Sequence, residues 1–136
     1  MIIKPMATAL YSKLAGLSAV TTQLANGTAS IHHMLAPKND EYPFLVYSLQ
    51  FGGPENITPS DSHEQLWFIR TYDRNQTTAA SIAQSIGTAL QNGTITVGSY
   101  QSVIMELDEE LEGFEIDSSG NGVFMAGGFY RFLLDV

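Results

Sequence analysis

The sequence predicts one domain of mixed α and β structure, in the order α-β-β-β-α-β-β-β. Three observations carry this. The chain has 136 residues, the size of a single ordinary domain. It is 44% hydrophobic, enough to bury a core and too apolar for a disordered tail. Its apolar residues recur at a helical period in two stretches and alternate at a strand period in the others.

Met6, Leu10, Leu14 and Leu17 fall on one helical stripe, so residues 5–16 form the first helix. Pro5 suits its first turn, where a missing N–H costs nothing, and Gly16 closes it. Ser18 then caps a shorter helix that carries Val20 and Leu24 and stops at Asn26-Gly27. Ser30–Leu35 follows as a short strand. Pro43 opens a stronger one, Phe44–Phe51, with Leu45, Tyr47, Leu49 and Phe51 on one face. Residues 52–63 hold two prolines and Gly-Gly and read as a long loop.

In the next strand, Glu64–Tyr72, both faces are apolar: Leu66, Phe68 and Tyr72 on one, Trp67 and Ile69 on the other. That pattern marks a central strand, or one whose second face a partner covers. Asp73 and Asn75 are candidate N-caps for the second main helix, whose stripe is Ala79, Ile82, Ala83, Ile86 and Leu90. Asn92-Gly93 stops it. Thr94–Val97, Ser99–Asp108 and Val123–Asp135 complete the strands. Gly120-Asn121-Gly122 reads as a hairpin turn, and Gly127-Gly128 as a close backbone approach or bulge inside the last strand.

Composition removes several kinds of chemistry. Without cysteine there are no disulfides, thiolate metal sites or cysteine nucleophiles. Six Lys and Arg against 14 Asp and Glu give −8, the opposite of what phosphate binding requires. No apolar run reaches the 18 or so residues needed to span a bilayer, and Tyr11, Ser12 and Lys13 interrupt any signal-peptide core. No export is expected, so the Asn-x-Thr triplets at Asn26, Asn56, Asn75 and Asn92 are not glycosylation sites.

His32 and His33 are strand neighbours that point to opposite faces and cannot share a metal. His63 stands in the loop beside Asp61 and Glu64. No Gly-x-Ser-x-Gly elbow and no phosphate-binding Gly-Lys motif occurs. Catalytic, cofactor-binding and metal residues are therefore expected to be none.

The acidic run is distinctive. Glu106, Asp108, Glu109, Glu110, Glu112, Glu115 and Asp117 are half of all the acids. They straddle the end of one strand and the loop to the last. The run reads either as a solvated ridge that keeps the domain soluble or as a field that matters to a partner or an assembly. Trp67, Phe68, Tyr130 and Phe132 read as core; Tyr100 and Arg131 suit either core or interface.

Four stretches carry a family resemblance: Ala9–Leu14 with the following GLSAVTTQLANG, Ile31 through EYPFLVYSLQ at 41–50, LWFIRTYDRNQTTAASIAQSIGTAL at 66–90, and GGFYRFLLDV at 127–136. Across nearly its whole length the chain resembles the tail-completion (tail terminator, or head–tail joining) proteins of long-tailed bacteriophages. It is poorer in charge and richer in Asn, Gln, Ser and Thr than is common there. The resemblance implies an α+β subunit, a single tail-completion-like domain over 1–136 with two main helices packed on one face of the sheet. It implies six copies closed into a ring on the tail tube, which stops polymerisation and meets the head connector, with no catalysis and no cofactor. The expected place is the virion tail or neck, and the host cytoplasm during assembly.

On that reading the partners are other copies of the chain, the tail-tube protein and a head-connector or neck protein. DNA only passes through the lumen, and no membrane is involved. The acidic ridge is the candidate lumen lining, since a negative wall prevents DNA from sticking. Gly52, Gly53, Pro54, Glu55, Asn56, Ile57, Thr58, Pro59, Ser60, Asp61, Ser62 and His63 form the candidate docking loop. The alternatives are a neck adaptor or head-closure protein, a small enzyme using Glu106 with Asp108 or Asp61 with Glu64, and a peptide-binding module using a sheet edge.

Overall fold

The computed structural model describes residues 3–38, 40–55, 62–91, 93–98 and 100–135. Helix α1 (Ile3–Ala15) leads into a single helical turn, α2 (Ser18–Thr21), and a 3₁₀ turn (Gly27–Ser30). Strands β1 (Ile31–His33), β2 (Phe44–Glu55) and β3 (Ser62–Asp73) follow. Then come α3 (Gln76–Leu90), β4 (Thr96–Val97), β5 (Tyr100–Ile116) and β6 (Gly122–Asp135). The α+β class and the order of main elements are those the sequence predicted.

Local chemistry explains the boundaries. Asn75 is the N-cap of α3: its side chain accepts from the Thr78 N–H at 3.2 Å, while Asp73 accepts from the Asn75 N–H at 3.2 Å. Both residues of the expected cap cluster are used, in tandem. The α2 segment is shorter than its apolar spacing suggested. Leu17, not Ser18, is the N-cap, and no side chain caps the turn, so one turn forms without propagating. Strand β1 ends at His33 because Met34 is left-handed, with φ +71°, outside the extended region a strand requires.

The strands form one six-stranded sheet in the order β1-β2-β3-β6-β5-β4. All neighbours are antiparallel except β1 and β2, which run parallel. A parallel pair needs a crossover, and the residues between them supply it, with Met34, Leu35, Ala36 and Pro37 over the face opposite the helices, beside Phe44, Val46, Arg70 and Tyr72. The helices lie on the other face. There Leu45 and Tyr47 of β2, Trp67 and Ile69 of β3, and Tyr130, Phe132 and Leu134 of β6 meet Met6, Leu10, Leu14, Ile82, Ile86 and Leu90. At about 25 cal/mol per Å² of apolar area, this layer is the main driving force for the fold.

Two buried polar links fix the layers in register. The Tyr47 hydroxyl donates to the Ala7 carbonyl at 3.2 Å, and Thr71 Oγ1 donates to the Ala79 carbonyl at 2.9 Å. Each satisfies a polar group that burial would otherwise leave costly.

Three expectations are corrected. The 52–63 loop is in good part strand: Gly52 pairs with Gln65, Gly53 with Glu64, Pro54 with His63 and Glu55 with Ser62. Residues 56–61 of that segment lie outside the described residues. The acidic run is not half loop, because β5 continues to Ile116. Cross-strand pairing with β6 carries both segments past their breakers, an effect no local propensity reports. Finally, Phe68 is not in the helix-side core but half-buried on the open face, whereas Trp67, Tyr130 and Phe132 are core.

Candidate functional site

Strand alternation divides the acidic residues instead of gathering them on one ridge. Glu106 stands across from Arg131, Glu109 from Phe129, Glu110 from Gly128 and Glu112 from Ala126. A bulge between Leu107 and Glu109 leaves Asp108 without a cross-strand partner. Glu106 and Glu109 thus share the open face, while Glu110 and Glu112 lie toward α3.

Their surroundings differ as much as their faces. Arg131 Nη2 donates to Glu106 at 2.6 Å and Nη1 to Glu64 at 3.4 Å. The hydrogen bond to Glu106 first, then that to Glu64, raises the guanidinium pKa further above its ordinary value. Arg131 Nε is buried with no hydrogen-bond partner. Glu112 accepts from Gln76 Nε2. Asp108, Glu109, Glu110 and Glu115 are exposed and hold no ion pair among the described residues.

Asp117 organises the β5–β6 turn. It accepts from the Ser119 N–H at 2.9 Å, the Asn121 N–H at 3.0 Å and Arg74 Nη2 at 2.6 Å. Gly120, at φ +82°, supplies the left-handed step of the turn. The Arg74 hydrogen bond, then the turn amides, hold the Asp117 carboxyl below its ordinary value of 3.8. A lowered folded-state pKa makes this a contribution present above the unfolded value and lost as pH falls through the folded one. The stability difference between wild type and Asp117→Asn should therefore be full above about pH 4 and shrink on acidification below it. Denaturant titrations at several pH values would check this; a difference independent of pH would refute it.

Gly127-Gly128 is a close approach, as expected. A Cβ at Gly127 would lie 2.2 Å from the Ile69 carbonyl oxygen, and one at Gly128 would lie 2.7 Å from that of Glu109. The bulge itself is in β5, opposite. His32 and His33 do point to opposite faces: His32 Nε2 is 2.6 Å from Asp40, while His33 stacks on Tyr47 at 5.1 Å. Among the described residues no three His, Asp or Glu side chains group as metal ligands.

The open face has its own centre. Phe68 and Phe129 stack across β3 and β6 at 4.8 Å, with the Arg70 guanidinium 4.6 Å from the Phe68 ring centre. Among the described residues Arg70 bonds only neutral groups: the Tyr72 hydroxyl, Ser48 Oγ and the Phe68 carbonyl. On the helix side, burial first and Glu110 second push the Tyr130 phenol up to about 12. It stays neutral at physiological pH.

No protein-family model matches the sequence, and neither does any curated protein. Among solved structures, a chain in the virion of a native gene transfer agent (GTA) particle superposes with a TM-score of 0.71. The match covers 95% of this chain and 93% of that one, at 13% identity. The fold is similar to that of a virion chain.

At 13% identity, what is shared with the GTA virion chain is the layout of helices and strands. The side-chain sites are this chain's own. Two of them escaped sequence reasoning. One is a pocket of about 470 Å³ under the 34–42 crossover, where Tyr42, Phe44 and Tyr72 stack in series and Arg74 lies 4.8 Å from the centre of the Tyr42 ring. The other is a groove of about 700 Å³ between α3 and β5, with Tyr130 in its lining. The signals were present but scattered: Tyr42 and Arg74, or Ala83 and Leu107, are far apart in sequence and come to one site only in the folded chain.

Proposed function

We propose that this protein is a structural subunit of a phage-type virion: it closes as a ring on the tail tube, stops tube polymerisation and forms the joint to the head connector. The observation that carries the reading is the likeness to a GTA virion chain over nearly the full length of both chains. The tail-completion resemblance of the sequence supports it independently.

Electrostatics is consistent with this role. At −8 per copy, six copies carry about −48, a field that keeps DNA sliding through a lumen without condensing on the wall. The exposed carboxylates Asp108, Glu109 and Glu115, which hold no ion pair among the described residues, are available to line it; Glu106 and Asp117 are neutralised by arginines. The role needs no catalytic group and no cofactor, and it places the protein in the virion.

Native mass spectrometry over a concentration series tests the reading. A closed species near six copies, about 89 kDa from 14.8 kDa subunits, is expected. A monomer at every concentration would overturn self-assembly into a ring.

A further inference from the structure

The crossover after β1 ends the sheet on one side with apolar side chains in water. Met34 is 66% exposed and Leu35 is 82% exposed, and the left-handed turn at Met34 sets the direction in which the segment leaves the strand. Lys38, also exposed, follows three residues later and has no carboxylate partner among the described residues.

At the opposite edge, β4 covers only Tyr100 and Gln101 of β5. Beyond them the outer side of β5 has no strand neighbour among the described residues. The α3–β5 groove opens there. The small Ala83 and Gly87 leave room in it, Leu107 and Leu111 give it an apolar part among polar side chains, and Glu110 and Glu112 line it with negative charge. A projecting leucine with a lysine nearby and a groove that offers two leucines and two carboxylates are complementary in chemistry and in sign.

We infer that the 34–38 segment of one copy docks in the α3–β5 groove of a second copy. The inference rests on the ring reading and names the contact that builds the ring. The two surfaces are different and lie at opposite edges of the sheet, so the contact is heterologous: each copy offers a segment to one neighbour and a groove to the other. Such contacts close into rings when the rotation fits.

The test is native mass spectrometry of full-length variants, with wild type expected as a closed oligomer. Leu35→Glu replaces a side chain that is exposed in the single copy, so circular dichroism should not change, and Tm should fall only by the stability that assembly adds. Losing the burial of one leucine per contact should still raise the half-assembly concentration about tenfold or more. Lys38→Glu and the pair Glu110→Lys with Glu112→Lys should each assemble poorly alone, because every contact then sets like charges together. Mixed in equal amounts, with one isotopically labelled, they should recover rings in which the two variants alternate. If the oligomer persists in Leu35→Glu, or the charge variants do not rescue each other, the docking is wrong and the ring reading stands. A wild type that is monomeric throughout overturns both.

Discussion

Gly127→Ala is expected to destabilise the protein by about 3 kcal/mol or more. The new methyl would sit 2.2 Å from the Ile69 carbonyl oxygen and 2.6 Å from the Arg70 Cα. These are backbone atoms of β3, the strand that pairs with β6 from Ser62–Asp135 to Asp73–Phe124. No rotamer change relieves such a clash; the two central strands must move apart, weakening ladder bonds on both sides of the site. Gly113→Ala is the control. There the nearest atom is Met125 Cε at 3.2 Å, the end of a flexible side chain, and the cost should stay below about 1 kcal/mol. Urea denaturation of the two variants checks the contrast. Equal losses would show that the close approach at Gly127 carries no special strain.

Trp67→Ala should cost a similar amount, about 3–5 kcal/mol. Trp67 is fully buried in the helix-side layer, and its indole Nε1 donates to Gln65 Oε1 at 2.8 Å. Gln65 is itself buried, at 3% exposure. Trp67→Phe separates the two contributions. Phenylalanine keeps most of the apolar volume but strands the Gln65 carbonyl oxygen, which should cost about 1–3 kcal/mol. Adding Gln65→Leu to Trp67→Phe should recover part of that loss, since an apolar pair has no polar atom to satisfy. A double-mutant cycle read by equilibrium denaturation gives the coupling. If Trp67→Phe were as damaging as Trp67→Ala, the lost hydrogen bond and not volume would be the controlling factor.

Both sites bear on assembly. The helix-side layer holds α3 against β6, and that packing shapes the groove into which a neighbouring copy is inferred to dock. Gly128, next to Gly127, lies against the Leu107–Glu109 bulge: a Cβ there would meet Leu107 Cδ1 at 2.4 Å. The backbone approach that makes the centre of the sheet intolerant of side chains also positions Leu107 at the groove.

The sequence by itself determined whatever depends on neighbours along the chain. Apolar residues on both faces of Glu64–Tyr72 pointed to a central strand or to one covered by a partner, and β3 is central. The 3.6-residue stripe of α3 and its Asp73/Asn75 cap were readable because helix geometry and capping act within four residues. The turn at Gly120 and the close approach at Gly127-Gly128 followed from what glycine alone permits. The opposed directions of His32 and His33 followed from the period of a strand.

Only the tertiary structure decided which strands lie side by side: the parallel β1–β2 pair, the extension of β2 and β3 into the glycine- and proline-rich segment, and the run of β5 through its acids. Pairing energy comes from a partner strand tens of residues away, and it outweighs local breakers that have no knowledge of it. The same reason separates the seven acids. In sequence they form one run; in space Glu106 belongs to Arg131, Asp117 to Arg74 and the β5–β6 turn, and Glu110 with Glu112 to the groove beside α3. Charge is a property of the residue, but whether it is neutralised, buried or left facing a partner depends on cross-strand neighbours, and those exist only once the sheet has formed.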